Sequence, residues 1–331
     1  MQPTLLRYSL LLCAATLAAA TLAAPALAQG DYPAKAITIV VPFSAGGGVD
    51  GMARLLAEKL RVSLKQTVLV ENKPGASGMV GAAFVSKAPG DGYTLLLGSA
   101  GETSINPLIY KSRMQYQPER DLAPIGLVSR VPNVLVANPN FPVGNIAELA
   151  AYAAKNPGKV SYATSGVGNP QHLNGELLQS LLGVKLQHVP YKGASGQLVD
   201  VASGAVDLSF VSYAGAAPFL KGNRVKAIAV TSAKRTSFAP DIPAIAETPA
   251  AKAYDLENWF GVFAPAKTPA AIQTRLSEAI AAALKDPDLA KRLREQGGEP
   301  EPMTQAQFRD FMARESAKYA RIVEAANILP E

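Results

Sequence analysis

The chain has one cysteine and two histidines in 331 residues, and that scarcity already narrows what it can do. A single thiol, Cys13, cannot build a disulfide framework or a thiolate metal site. His172 and His188 stand alone: there is no H-E-x-x-H helix, no G-x-S-x-G elbow and no cluster with metal-ligand spacing. The reading is therefore of a protein without catalytic residues, metal or cofactor. Charge is scarce too and evenly spread. Lys and Arg number 32 against 26 Asp and Glu, a net +6, with no basic cluster interleaved with aromatics, so nucleic acid is not expected as a partner. Beyond the first 28 residues no apolar run approaches the length that crosses a bilayer. Disorder is excluded for the body of the chain, because 48% of the residues are hydrophobic.

What is present begins with a secretory pattern. Residues 1–28 carry Arg7, an apolar run from Leu10 and the small-residue site Ala26-Leu27-Ala28. Cleavage is expected after Ala28 rather than retention as a membrane anchor, and Leu12 is too bulky for Cys13 to be a lipoprotein site. The cysteine would leave with the signal. A cysteine-free remainder of this size suits a bacterial periplasm.

Strand-like and helix-like stretches then alternate, which argues for an α/β fold on mainly parallel sheets. Ile37 to Val41 is a short apolar run of the kind covered on both faces, and Met52 to Leu60 follows with helical spacing. The last third changes character: helices from Thr268-Pro269 to Leu284, Pro287 to Gln296 and about Gln305 to Ala325 follow one another without strands, and should return to cover the first half. Two long extended segments, Ile125 to Ala137 and Val225 to Ala233, are the candidate crossings between domains. The expected division is a discontinuous first domain, 29–130 with 229–331, around an inserted second one, 131–228.

Four strand-to-helix loops are rich in Gly and Ser or Thr: Pro42 to Asp50, Gly75 to Gly78, Thr164 to Asn169 and Lys192 to Ser195. In open α/β sheets such loops form the ligand crevice, and each following helix aims its amides and positive end into it. The cations nearby are Lys73 and Lys192, so an anion would rest on backbone N–H groups and the hydroxyls of Ser44, Ser77, Thr164 and Ser165. Gly46-x-Gly48-x-x-Gly51 imitates a dinucleotide fingerprint. It is discounted because four residues separate it from the strand and Asp50 would repel a pyrophosphate. His172 is either a ligand contact or a helix-cap residue, and His188 reads as structural. Asp50 and Asp207 either receive an ammonium group or brace their loops. Trp259 and Phe260 read as core, and Glu102 stays unassigned.

The linked motifs Ile39-Val40-Val41-Pro42-Phe43-x-x-Gly46-Gly47-x-x-Asp50, Val70-Glu71-Asn72-Lys73-Pro74-Gly75-Ala76-x-Gly78-x-x-Gly81, Asp91-Gly92-Tyr93-Thr94 and His188-Val189-Pro190-Tyr191-Lys192-Gly193 closely resemble the Bug proteins. These are solute receptors of tripartite tricarboxylate transporters. The resemblance implies a two-domain periplasmic binding protein of type II topology, joined by two crossing strands and closing on a small carboxylate: a di- or tricarboxylate, an acidic amino acid or an aromatic acid. It implies a membrane permease as partner and a monomer. Carried over residue by residue, it nominates Phe43, Ser44, Ala45, Gly46, Gly47, Asp50, Ser77, Gly78, Thr164, Ser165, Gly168, Asn169 and His172. Lys192, Gly193, Ala194 and Asp207 would line the far wall. Gly48-Val49 and Asn169-Pro170 depart from the usual pattern and alter the pocket there. The rivals are a sensor subunit signalling to a membrane kinase and a periplasmic enzyme using the same cleft, the dinucleotide-binding version included.

Overall fold

Every residue of Ile37-Thr38-Ile39-Val40-Val41 is β-branched, and the segment forms β1 (Ile37–Val41) with all but Thr38 buried. The computed structural model describes residues 32–191 and 194–329, so the signal sequence expected over 1–28 lies outside the described residues. After β1 the chain runs through α1 (Gly48–Leu64), β2 (Val68–Asn72), α2 (Met79–Ser86), β3 (Thr94–Ser99) and β4 (Leu122–Val131). Helix α1 buries Met52, Ala53, Leu56, Leu60 and Leu64, one stripe at helical spacing, and carries Asp50 in its first turn and Arg61 in its last, matched to the helix dipole.

Pro132 breaks the strand, and the chain passes into a second sheet through β5 (Asn133–Ala137), α3 (Ile146–Lys155), β6 (Ser161–Thr164), α4 (Pro170–Leu182), β7 (Gln187–Pro190), α5 (Ala194–Ser203), β8 (Leu208–Ser212), α6 (Tyr213–Lys221) and β9 (Lys226–Val230). It returns to the first sheet as β10 (Asn258–Pro265), followed by α7 (Ala270–Leu284), α8 (Pro287–Glu295), β11 (Glu299–Pro300) and α9 (Gln305–Ala325). The strand orders are β11-β4-β10-β3-β1-β2 and β7-β6-β8-β5-β9. In each sheet, the strand that arrives after a crossing inserts antiparallel among parallel neighbours: β10 between β3 and β4, and β5 between β8 and β9. The expected α/β fold is present, with this insertion as its refinement.

The first crossing falls inside the expected segment. The second does not fall within Val225 to Ala233 as a strand: β9 pairs with β5 up to Val230, and the chain returns through residues 231–257. The apolar run at 225–230 is buried in the second sheet, and that is why it looked like a long extended connector. Where the two crossings pass, Asn133 N donates to Thr231 Oγ1 at 2.8 Å and Thr231 N to Asn133 O at 2.9 Å.

The closing helices do return to the first sheet. Trp259 of β10 is fully buried, edge-on to Phe308 and Phe311 of α9 with ring centroids 5.7 Å away in each case, and its Nε1 donates to Tyr319 Oη at 3.1 Å. Gly261 is required by that packing, since a Cβ there would lie 2.2 Å from Phe308 Cζ. Among the described residues no helix is long and apolar enough to cross a membrane.

Candidate ligand-binding site

The loop after β1 is built around one carboxylate. Asp50 is buried; its Oδ2 accepts from Gly46 N at 2.9 Å and Arg54 Nε at 3.0 Å, and its Oδ1 accepts from Asn72 Nδ2 at 3.0 Å. Asn72 Nδ2 also donates to Phe43 O. Burial works against the Asp50 charge, but the hydrogen bonds from Arg54, Gly46 and Asn72 outweigh it and hold the carboxyl below its ordinary value. Asp50 thus fixes the loop from beneath and fills the amide position that a dinucleotide phosphate would need. Ser44, Ala45, Gly46 and Gly47 stay exposed above it.

The second loop lies against the first, because a Cβ on Gly81 would come within 2.8 Å of Pro42. Its backbone is unusual: Ala76 and Ser77, neither glycine, have φ of 46° and 51°, between Gly75 and Gly78 that also take positive φ. The turn closes on itself, Gly78 N donating to Gly75 O at 3.0 Å. Ser77 O accepts from Asn106 Nδ2 at 3.0 Å. Under Gly78 lies Glu102, fully buried, whose carboxylate accepts from Ser99 N and, at 2.5 Å, from Ser99 Oγ. Burial pushes its carboxyl up to about 7 against the lowering effect of the Ser99 bonds.

Across from these, the loop after β6 is held by its own helix. Asn169 caps α4 by accepting from His172 N at 2.9 Å, and Pro170 occupies the first helical position. His172 Nδ1 accepts from Gly168 N at 3.1 Å, and its Nε2 faces Glu176 Oε1 at 3.5 Å. The His172 ring stacks on His188 with centroids 3.9 Å apart, and His188 stacks in turn on Tyr162. Thr164 Oγ1 is 2.6 Å from His188 Nε2 and 3.0 Å from Gly166 O, so this hydroxyl is turned into the protein. Burial, then the neighbouring His172, lowers His188 to about 4. Ser165 N donates to Gln171 Oε1 at 2.7 Å, while Ser165 Oγ accepts from Asn169 Nδ2 at 2.7 Å and keeps its own proton to donate.

The two sets of loops meet through residues 106–110. A Cβ on Gly168 would lie 2.6 Å from Ile109 Cδ1 and 3.7 Å from Tyr110 Cε2, and Tyr110 Oη reaches Val167 O at 3.4 Å. Contacts thus run from Pro42 through Gly81 to the second loop, and from Ser77 through residues 106–110 to Val167 and Gly168, with Asp50 and Thr164 buried beneath their own loops. Asp207 is not brought in. It sits at the amino end of β8, where Oδ2 accepts from Ser161 N at 2.8 Å and Ser161 Oγ at 2.9 Å, at the opposite end of the strands from Thr164. Lys192 and Gly193 lie outside the described residues, and Ala194 opens α5. Lys73 pairs with Glu71 at 2.6 Å and lies over the Phe84 ring.

Sequence reasoning missed Asn106, Ile109 and Tyr110, although Asn106-Pro107 marks a turn just past the carboxyl end of β3. It also missed Tyr213, which opens α6 directly after β8 and meets Gly297 across the halves: a Cβ on Gly297 would lie 3.2 Å from Tyr213 Cβ.

Two mixed sheets linked by two crossings, with glycine-rich loops at strand ends in both, define the α/β periplasmic-binding-protein fold. The family model for the tripartite tricarboxylate transporter family receptor matches residues 52–328, and the chain belongs to that family of periplasmic solute-binding receptors. It is 34% identical over 292 residues to Protein BugT of Bordetella pertussis, covering 88% of this chain and 89% of that one. Among solved structures it resembles R. palustris Rpa4515 with adipate, at TM-score 0.81 and 35% identity over 91% of this chain and 100% of the other. It also resembles MatC (Rpa3494) from Rhodopseudomonas palustris with bound malate, at TM-score 0.76 and 29% identity over 88% and 100%.

Proposed function

We propose that this receptor captures a small carboxylate between its two halves and delivers it to the permease subunits of a tripartite tricarboxylate transporter, without chemical change to the ligand. In this reading the signal is removed after Ala28. Residues 29–130 with 229–331 form one lobe and 131–228 the other, and the lobes hinge where Pro132 and the 231–257 return pass each other.

The observation that carries the proposal is the meeting of the Ser77 and Gly168 loops through Asn106 to Tyr110. The ligand carboxylate would rest on backbone amides of the Phe43 to Gly47 loop and on the amide and hydroxyl of Ser77 on one side, the Gly78 amide being spent on Gly75 O. On the other it would meet Ser165 Oγ, Gly168, Asn169 and the edge of His172, with Lys192, Gly193 and Ala194 closing the far wall. Contacts to amides and hydroxyls are individually weaker than an Arg fork, which suits a ligand that must be released. Two structural neighbours at 35% and 29% identity hold adipate and malate, so an aliphatic dicarboxylate of about that length is the preferred ligand class here. Asp207 braces Ser161 in this reading and makes no ligand contact.

A thermal-shift screen against malate, adipate, citrate, aspartate, nicotinate, benzoate and NAD tests it. A ligand at about 100 times its dissociation constant stabilises the fold by roughly 2.7 kcal/mol, a shift of a few degrees. One responding class supports the receptor reading and names the substrate. A response to NAD alone would overturn it.

A further inference from the structure

Away from the loop crevice, the carboxyl half of α4 and the turn after it face α9 across a cavity of about 890 Å³. Its walls come from both halves of the chain. Leu177, Leu181 and Val184 line one side and Ile322 and Ala325 the other, and all three residues of the α4 side pack against the main core. The volume is that of a site for a small organic molecule, and a mostly apolar lining with a few polar groups is what such sites have.

The charged groups at the cavity fall into two kinds. Lys318 is paired with Glu315 at 2.7 Å and Asp255 at 3.7 Å, and Asp255 also meets Arg130. Glu176 Oε1 accepts from Tyr162 Oη at 2.6 Å and Gln179 Nε2 at 2.8 Å, so this oxygen is spent inward. Lys185 and Arg321 are exposed and form no ion pair with any described residue. An apolar floor with two unspent cations matches an anionic head on an apolar body. It does not match a short dicarboxylate, which has little apolar surface to bury and would bring a second charge onto the apolar floor.

We infer that this cavity is a second ligand site, for an amphipathic monocarboxylate with a medium-length alkyl chain. The chain lies over Leu177, Leu181, Val184 and Ile322, and the carboxylate meets Lys185 and Arg321 at the rim. The inference is independent of which ligand the loop crevice takes.

Calorimetric titration of decanoate into the full protein tests it, beside 1-decanol and adipate, in the wild type, in Lys185→Glu with Arg321→Glu, and in Ser77→Ala with Ser165→Ala. Both rim residues are exposed, so reversing them leaves the fold intact. The expected result is saturable 1:1 decanoate binding that weakens at least tenfold on rim charge reversal and at least tenfold when decanol replaces decanoate. It should be unaffected by the loop substitutions, and any adipate binding should be unaffected by charge reversal. Absence of saturable binding would overturn the inference. So would decanoate affinity indifferent to the rim charges, or lost with the loop serines, which would put the molecule in the crevice instead.

Discussion

Glu102 is the residue whose surroundings say most about how the site is supported. It is fully buried beneath Gly78, its carboxylate held by Ser99 and by its own backbone amide, and burial raises it to about 7. A raised carboxyl favours the folded state fully below its ordinary value of 4.5, and that contribution is lost as pH rises from there through 7. Glu102→Gln, which keeps the shape and removes the charge, should therefore stabilise the protein by roughly 1–3 kcal/mol at pH 8 and have little effect near pH 4, read from urea unfolding at both. Equal effects at the two pH values would contradict this account of the residue. His188 acts in the other direction: held at about 4, it favours folding above its ordinary 6.5, and that contribution is lost as pH falls from 6.5 to about 4.

Thr164 shows where reading the sequence alone stops. Its position after a buried strand was legible, but a hydroxyl in a Thr-Ser-Gly loop can face ligand or protein, and the choice depends on His188, distant in sequence, being placed on the adjoining strand. Thr164→Val should cost about 1 kcal/mol or more of stability, from the partners left unpaired, and change carboxylate affinity less than Ser165→Ala does. Thermal unfolding and calorimetry on the two variants separate those effects.

At the scale of elements, α4 does most to position the site. Its capping residue, its histidine and its acid at 169, 172 and 176 hold the loop after β6, and its backbone lies against Tyr162, which closes the His172–His188 stack. A Cβ on Gly175 would stand 2.2 Å from Tyr162 Cε2. Gly175→Ala should therefore displace that ring and destabilise the protein by about 1–3 kcal/mol, despite the better helix propensity of alanine. An unchanged unfolding midpoint would mean the ring is free to move. The elements themselves were largely legible, since β1, α1 and the closing helices follow period and caps. β10 was not: Trp259 and Phe260 read as core, with no strand assigned around them. Only the approach of Phe308 from α9 explains a glycine inside a central strand.

For the whole molecule, the alternation of strands and helices and the paired glycine loops were enough to indicate the fold and the ends of the strands that matter. They could not show that the return crossing occupies 231–257, because β9 is completed by hydrogen bonds to β5 that leave no local mark. Nor could they show that Asp207 lies at the wrong end of β8, since strand direction relative to the loops is set by the sheet. In the proposed function, loops from the two sheets together hold one small carboxylate.

Calorimetric titration of adipate and malate into the wild type and into Ser77→Ala with Ser165→Ala tests this most directly. The account predicts saturable 1:1 binding of at least one dicarboxylate, weakened by about tenfold or more in the double variant, as the loss of two hydroxyl donors worth about 1 kcal/mol each requires. Binding of equal strength in the two proteins, or no binding of either acid, would contradict it.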